Sequence, residues 1–389
     1  MRYEELVIEL SQLHDKVQCL TASMDDNEYR KQYHPDLSPL GWHYGHIIYI
    51  ENLWLRDTVL NQGMLKESDH QLYNPRNTPK HLRGNVLPHN NMLLEQGQQQ
   101  FNDNVALLNN LPTKFGKHRL MKDAYLLKFI LQHHTLHLET MKMIITQKHI
   151  QETTPSGNSR TLNGNSLKQA TQVSKKPLLF ESKRYRIGGK DNWSFDNELP
   201  HHAISLDTFA INRAPVSNAE YLGFMEAGGY QDEQYWSAEG FSWLQKSKVE
   251  APDGWCYQNG LFQANPKGYQ SIDPDAAVCG ICYHEAQAFA NYANARLPHE
   301  YEREVSHPQL EKNSDTWEWC LNNFHPYSGF NSFPYREYST PWFDKKHHVL
   351  RGGCRFNEVD FHLRASFRNF YEKHKRHIFS GIRLAYDIA

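Results

Sequence analysis

Phe129-Ile130-Leu131-Gln132-His133-His134-Thr135-Leu136-His137-Leu138-Glu139 is the stretch that decides how the first half of this chain is read. Apolar residues recur at three- and four-residue spacing from Leu126 to Ile144, with no Gly or Pro between them, so the segment predicts a helix. His133 and His137 then lie one turn apart on the same face, while His134 points elsewhere. Two imidazoles so placed reach one metal ion, and a third ligand from another helix would complete a site. With 23 His in 389 residues, chance alone supplies about one such pair. Spacing by itself therefore leaves a metal site and a metal-free histidine face as equal alternatives.

The surrounding periodicity predicts three more helices. Leu6, Ile8, Leu10, Leu13, Val17 and Leu20 mark the first, within residues 1–25. The second runs from Leu40 to about Leu60, with Ser38 as its cap and Pro39 at its first position. Residues 62–90 are polar and rich in turn formers; a third helix fits 91–110 and a fourth 119–148. Four helices with one long connection describe a bundle whose core can hold a metal. The helical domain is thus expected over 1–150. Residues 151–176, which include Thr153-Thr154-Pro155-Ser156-Gly157-Asn158-Ser159, lack apolar period and read as a linker. From 177 to 389 short apolar runs, turn residues and aromatics dominate, with helical stretches near 217–227 and 284–294. That half is expected to be mixed α+β with much loop.

Composition narrows the function classes. A 39% hydrophobic and 13% aromatic chain of this length folds, and two domains are the default. Net charge is -2 and no Lys/Arg block stands out, which argues against nucleic acid as a partner. No apolar run approaches bilayer length and the N-terminal residues are charged, so no membrane association and a cytoplasmic location are expected. The six cysteines form no disulfide framework, and Cys279-Gly-Ile-Cys282 reads as a free, mostly buried pair rather than a redox or zinc motif.

The second half resembles the formylglycine-generating-enzyme/sulfatase-modifying-factor fold, a C-type-lectin-like domain rich in loops. The resemblance rests on Phe195-Asp196-Asn197-Glu198-Leu199-Pro200, Pro215-Val216-Ser217-Asn218-Ala219-Glu220-Tyr221, Arg296-Leu297-Pro298-His299-Glu300, Trp317-Glu318-Trp319, Leu350-Arg351-Gly352-Gly353, Arg368-Asn369-Phe370 and Gly381-Ile382-Arg383, in that order. The first half resembles the DinB-like four-helix bundle through Gly45-His46-Ile47 with Glu51 and through His133-x-x-x-His137. Together the two domains resemble the ergothioneine-pathway sulfoxide synthases and their ovothiol and selenoneine relatives.

That resemblance implies a non-haem Fe(II) enzyme that uses O2 to join a small thiol or selenol to the imidazole of a histidine derivative. It implies His46, His133 and His137 as the metal ligands, with His43 as the rival of His46. Glu51 and Glu139 are either acceptors that hold ligand imidazoles in the ligating tautomer or charges on helix surfaces. A catalytic tyrosine is expected in the loop from His325 to Tyr338: Tyr335 first, with Tyr327 and Tyr338 behind it. Asn369, Phe370, Tyr371 and Lys375 fall in the family's substrate segment, and Arg83 is a candidate clamp for the acceptor carboxylate. Arg364 and Arg383 are expected to be structural ion-pair partners.

Several positions depart from the family pattern. Cys354 has no cysteine partner before Arg368, which argues against oxidation of a sulfatase cysteine. Tyr371 and Lys375 replace an Asp and an Arg that accompany a γ-glutamylcysteine donor, which points to free cysteine or another small thiol or selenol. Leu136 replaces a Gln that touches the trimethylated acceptor in some members. Two alternatives stay open: a same-scaffold iron enzyme with another reaction, such as thiol dioxygenation, and a non-catalytic metal-binding protein.

Overall fold

A computed structural model of the chain describes residues 2–111, 115–153, 177–190, 193–257, 260–311, 316–357 and 360–388. The chain divides into two compact units, Met1–Glu152 and Thr153–Ala389. Most of the stretch read as a linker, 154–176, lies outside the described residues.

The first unit is helical: α1 (Tyr3–Ala22), α2 (Asp26–Arg30), α3 (Leu40–Glu51), α4 (Glu67–Tyr73), α5 (Lys80–Arg83), α6 (Asn90–Asn109) and α7 (Tyr125–Glu152). α3 continues through Asn52–Val59 with π-helical hydrogen bonding. The long helices α1, α3, α6 and α7 pack on one another. α1 buries a stripe of Leu6, Leu10, Leu13 and Val17 that also contains His14, as an amphipathic outer helix should. From Leu126 to Thr135 every residue of α7 is buried, so this helix runs through the core and carries its polar side chains into it.

Two local expectations are corrected. α7 starts at Tyr125 rather than near 119, because Asp123 (φ 53°) and Ala124 (φ 56°) are left-handed and interrupt the right-handed turn. Ser38 does not cap α3: the N-cap is Pro39, with no side-chain cap bond, and the Ser38 hydroxyl accepts from Arg83 Nη1 at 2.6 Å.

The second unit is α+β. Its strands are β1 (Leu178–Phe180), β2 (Lys183–Ile187), β3 (His202–Leu206), β4 (Phe209–Ile211), β5 (Trp255–Tyr257), β6 (Leu261–Asn265), β7 (Gly268–Ser271), β8 (Trp317–Asn323), β9 (His347–Arg351), β10 (Asn369–Glu372), β11 (Ser380–Gly381) and β12 (Ala385–Asp387). They form sheets ordered β1-β4-β12, β10-β9-β8-β11, β2-β3 and β5-β6-β7. The helices are α8 (Asn218–Glu226), α9 (Ala238–Ser247), α10 (Tyr283–Tyr292), α11 (Glu300–Ser306) and α12 (Arg336–Ser339). Ser217 caps α8 through the Glu220 backbone N–H, and Glu220 returns the bond to the Ser217 N–H at 2.7 Å. No two cysteines form a disulfide among the described residues, and Cys279 and Cys282 are buried.

The sequence anchors of this unit meet as buried ion pairs. Glu300, at the start of α11, accepts from Arg368 at 2.8 Å through each oxygen and from Arg351 Nη2 at 2.6 Å. Glu318 on β8 accepts from Arg383 at 2.9 and 2.7 Å and also pairs with Arg303. Arg364 pairs with Glu198. Gly352, at φ 101°, turns the chain after β9; that left-handed φ strains any side chain, and a Cβ there would also push on Arg303 Nη2, 2.7 Å away. Arg364 and Arg383 are thus the structural partners expected of them.

Candidate metal centre

α3 and α7 bring three imidazoles together. One nitrogen each of His46, His133 and His137 lies within 4.8 Å of the other two. His46 Nε2 and His133 Nε2 are 3.3 Å apart, and the His133 and His137 rings, one turn apart on α7, lie 4.4 Å apart. His43, the rival of His46, is outside that cluster; its Nδ1 faces His137 Nδ1 at 2.8 Å, and its buried Nε2 has no hydrogen-bond partner among the described residues.

Local packing fixes how His46 presents itself. Its Nδ1 lies 2.7 Å from the carbonyl oxygen of Tyr73 at the end of α4. A carbonyl only accepts, so Nδ1 carries the proton and Nε2 keeps the lone pair. Gly45 makes this possible, since a Cβ there would stand 2.2 Å from the Tyr73 ring. Trp42, one turn earlier, stacks on His46 at 4.7 Å, and the Arg83 guanidinium lies 3.8 Å from the Trp42 ring centre. Burial pushes the His46 pKa down to about 3 and those of His133 and His137 well below the usual imidazole value, with neighbouring imidazoles adding to the shift of all three. All three are therefore neutral at pH 7, the form that ligates a metal. Converging neutral imidazoles are a donor set for a borderline divalent cation such as zinc, iron, copper or nickel.

The flanking carboxylates are not on the helix surface. Glu51 and Glu139 are both buried. Glu51 Oε1 accepts from His134 Nε2 at 2.8 Å and from His14 Nε2, and Oε2 accepts from Asn104 Nδ2 at 2.9 Å. Among the described residues Glu51 thus reaches the three-histidine cluster through His134, whose Nδ1 is 3.2 Å from His133 Nδ1. Sequence reasoning set His134 aside and passed over His14. The available signal for His14 was a histidine on the apolar stripe of α1, between Leu10 and Val17.

Arg83 is committed within its own unit. It donates to Thr78 O at 2.9 Å, Ser38 Oγ at 2.6 Å and Pro75 O at 2.7 Å, which leaves two of the five guanidinium N–H groups for any other partner. Leu136 is half-buried on α7.

The remaining predicted residues belong to the second unit. Tyr327 is buried and its hydroxyl accepts from Arg351 Nη2 at 2.9 Å, while Tyr338 stacks on Phe195 at 4.2 Å. Tyr335 is half-buried at the N-cap of α12. Asn369, Phe370 and Tyr371 lie on β10, paired with Leu350, Val349 and His348 of β9. Strand pleating separates them: Asn369 and Tyr371 share one face and Phe370 takes the other, where it stacks on Phe324 at 4.1 Å. The three cannot line a single face of the sheet. Lys375 Nζ lies 3.0 Å from Glu372. Among the described residues no helix is long and apolar enough to cross a membrane.

Comparison with known proteins follows both domains. Residues 9–141 match the DinB superfamily, and residues 164–308 and 313–388 match the sulfatase-modifying factor enzyme 1-like domain. Relatives include hercynine oxygenase of Mycolicibacterium thermoresistibile, 29% identical over 94% of this chain and 91% of that protein. Hercynine oxygenase of Mycobacterium tuberculosis is 28% identical over 94% of this chain and 95% of that protein. Ergothioneine biosynthesis protein 1 of Schizosaccharomyces pombe is 26% identical over 49% of this chain and 27% of that protein. The chain belongs to the sulfatase-modifying factor enzyme 1-like family and carries a DinB-superfamily domain ahead of it, the arrangement of the ergothioneine-type sulfoxide synthases that its sequence resembles.

Proposed function

We propose that this chain is an enzyme of the ergothioneine-pathway type: a non-haem Fe(II), O2-dependent oxidoreductase that forms a C–S or C–Se bond between a small thiol or selenol and the imidazole of a histidine derivative. The observation that carries it is the convergence of His46, His133 and His137 as neutral donors inside the DinB-type bundle. The donor set alone does not choose among borderline metals; the hercynine oxygenases that match over nearly the whole chain favour a redox metal that activates O2. Iron bound there would supply a Lewis-acidic centre that holds a thiol as thiolate and reacts with O2.

The chain's own groups then have distinct tasks. His46, His133 and His137 are the ligands, carried by a domain spanning 1–150. Residues 177–389, which follow the linker 151–176, carry the proposed substrate-binding residues. Asn369 can donate to and accept from an amino-acid head group, and Tyr371 shares its face of β10. Lys375 offers one cation beside Glu372 for a donor carboxylate. Of the three tyrosines of the 325–338 loop, Tyr335, at the N-cap of α12, is taken as the proton donor, ahead of Tyr327 and Tyr338. With three bonds made inside the bundle, Arg83 is retained only as a weak second contact to the acceptor carboxylate.

Anaerobic reconstitution with Fe(II), followed by cysteine or selenocysteine with trimethylhistidine under air, tests this function. Coupled consumption of O2, thiol and acceptor is expected. One bound iron with no O2 uptake for any such pair would sink it. Tyr371, Lys375 and Leu136 favour a second reading, thiol dioxygenation on the same centre, and a sulfinate product with the acceptor unconsumed would select it.

A further inference from the structure

The buried cluster of His14, Glu51 and His134 obeys a single proton arrangement, and that arrangement ends at the three-histidine centre. Glu51 is a carboxylate facing three donors, His14 Nε2, His134 Nε2 and Asn104 Nδ2, with His134 at 2.8 Å and Asn104 at 2.9 Å. A carboxylate only accepts, so the His134 proton sits on Nε2. A neutral imidazole has one N–H, so His134 Nδ1 bears a lone pair. The group 3.2 Å from that lone pair is His133 Nδ1, which must then be the donor. His133 Nε2 is left unprotonated, and it is the atom 3.3 Å from His46 Nε2.

We infer that Glu51 and His134 act as a positioning relay: they hold His133 as the Nδ1–H tautomer and aim its Nε2 lone pair into the centre formed with His46 and His137. This rests on those three histidines being ligands. The three ligands then differ in what fixes them. His46 leans on a backbone carbonyl, His137 on the imidazole of His43, and His133 alone is tied through one imidazole to a buried negative charge. His14 stacks on Phe101 at 3.8 Å with the rings 7° from parallel, which pins the far end of the relay. The trio His14, Glu51 and His134 also has the spacing of a cation site in its own right. Both Glu51 oxygens already accept from N–H donors, so a cation there would have to displace N–H groups that the chain holds. The relay uses every one of these atoms without adding a charge.

Two measurements on the full chain decide the matter. Long-range 1H–15N correlation of the imidazoles in the metal-free protein reads the tautomers directly. His134 as Nε2–H and His133 as Nδ1–H is expected; His133 found as Nε2–H overturns the relay. Titration with Co(II) alone reads the consequence. His134→Phe, which removes the acceptor, should weaken Co(II) binding by about 10–100-fold. It should also abolish the paramagnetically shifted, slowly exchanging N–H signal of His133. His134→Asn, whose amide oxygen stands close to the lost Nδ1, should restore most of the affinity and the signal. His134→Phe binding like the unmodified chain, or His134→Asn no better than His134→Phe, overturns the relay. If the unmodified chain takes up no Co(II), the proposed function fails instead, and the metal-free tautomers still judge the relay.

Discussion

The two units bury polar groups in opposite ways. In the bundle the buried polar centre is built from neutral imidazoles, and its carboxylate, Glu51, is met by imidazoles and an amide. In the second unit the buried carboxylates Glu300 and Glu318 each take two arginines. Burial works against ionisation of Glu300 and Glu318, but the paired guanidinium charges win and bring both pKa values down to about 2. There each buried carboxylate meets guanidinium charge directly. In the bundle burial pushes imidazoles toward the neutral form, and three of them hold nitrogens within 4.8 Å of one another. A closed network holds a fold together; a network with converging acceptors asks for a cation.

The largest effect expected is on the open network. His137→Ala should reduce divalent-metal binding by more than the roughly 10–100-fold typical of losing a ligand's hydrogen-bonding partner, with apo stability little changed. Equilibrium dialysis with metal analysis checks it, and unchanged stoichiometric binding would break the contrast. The closed network should show the converse. Glu318→Gln leaves Arg303 and Arg383 buried beside a neutral amide and should cost about 3–5 kcal/mol in denaturant unfolding of the second unit, with metal affinity unaffected.

Acid should separate the units in the metal-free chain. A histidine whose folded pKa is about 3, against 6.5 unfolded, contributes stability that is complete above 6.5 and lost as pH falls from 6.5 toward 3. Glu300 and Glu318, at about 2 against 4.5, contribute stability that is complete above 4.5 and lost between 4.5 and 2. Hydrogen exchange at pH 5.5 should therefore show loosening in α3 and α7 while β8, β9 and α11 stay protected. Equal protection of both units would contradict the assignment. The smallest effect expected is at Ser38→Ala, which leaves one N–H of the buried Arg83 without its acceptor. It should cost about 1 kcal/mol in stability and leave metal affinity intact; a lowered affinity would mean that the Arg83–Trp42–His46 stack reaches the centre after all.

Much of this architecture is legible in the sequence, and what is not has a physical cause. Helical periodicity is local, so the long helices and the shared face of His133 and His137 followed from spacing. The left-handed turn at Asp123–Ala124 has no such signature, since neither residue advertises a positive φ as Gly would. Sequence adjacency places Asn369, Phe370 and Tyr371 in one segment, but only the strand pairing of β10 shows which of them share a face. The acceptors of Arg83 at Thr78, Pro75 and Ser38 become visible only once the connection folds back on α3.

By itself the sequence determined the number and kind of long helices in the bundle, the pairing of His133 with His137, and the family motifs of the second half. These depend on residues a few positions apart or on anchors in a fixed order. Only the tertiary structure decided that His46 rather than His43 joins the cluster, that Glu51 reaches it through His134, and that His14 closes the chain of hydrogen bonds from 37 residues away. Those outcomes depend on how α1, α3 and α7 are rotated against one another, and rotation is set by packing across the whole core rather than by the period of any one helix.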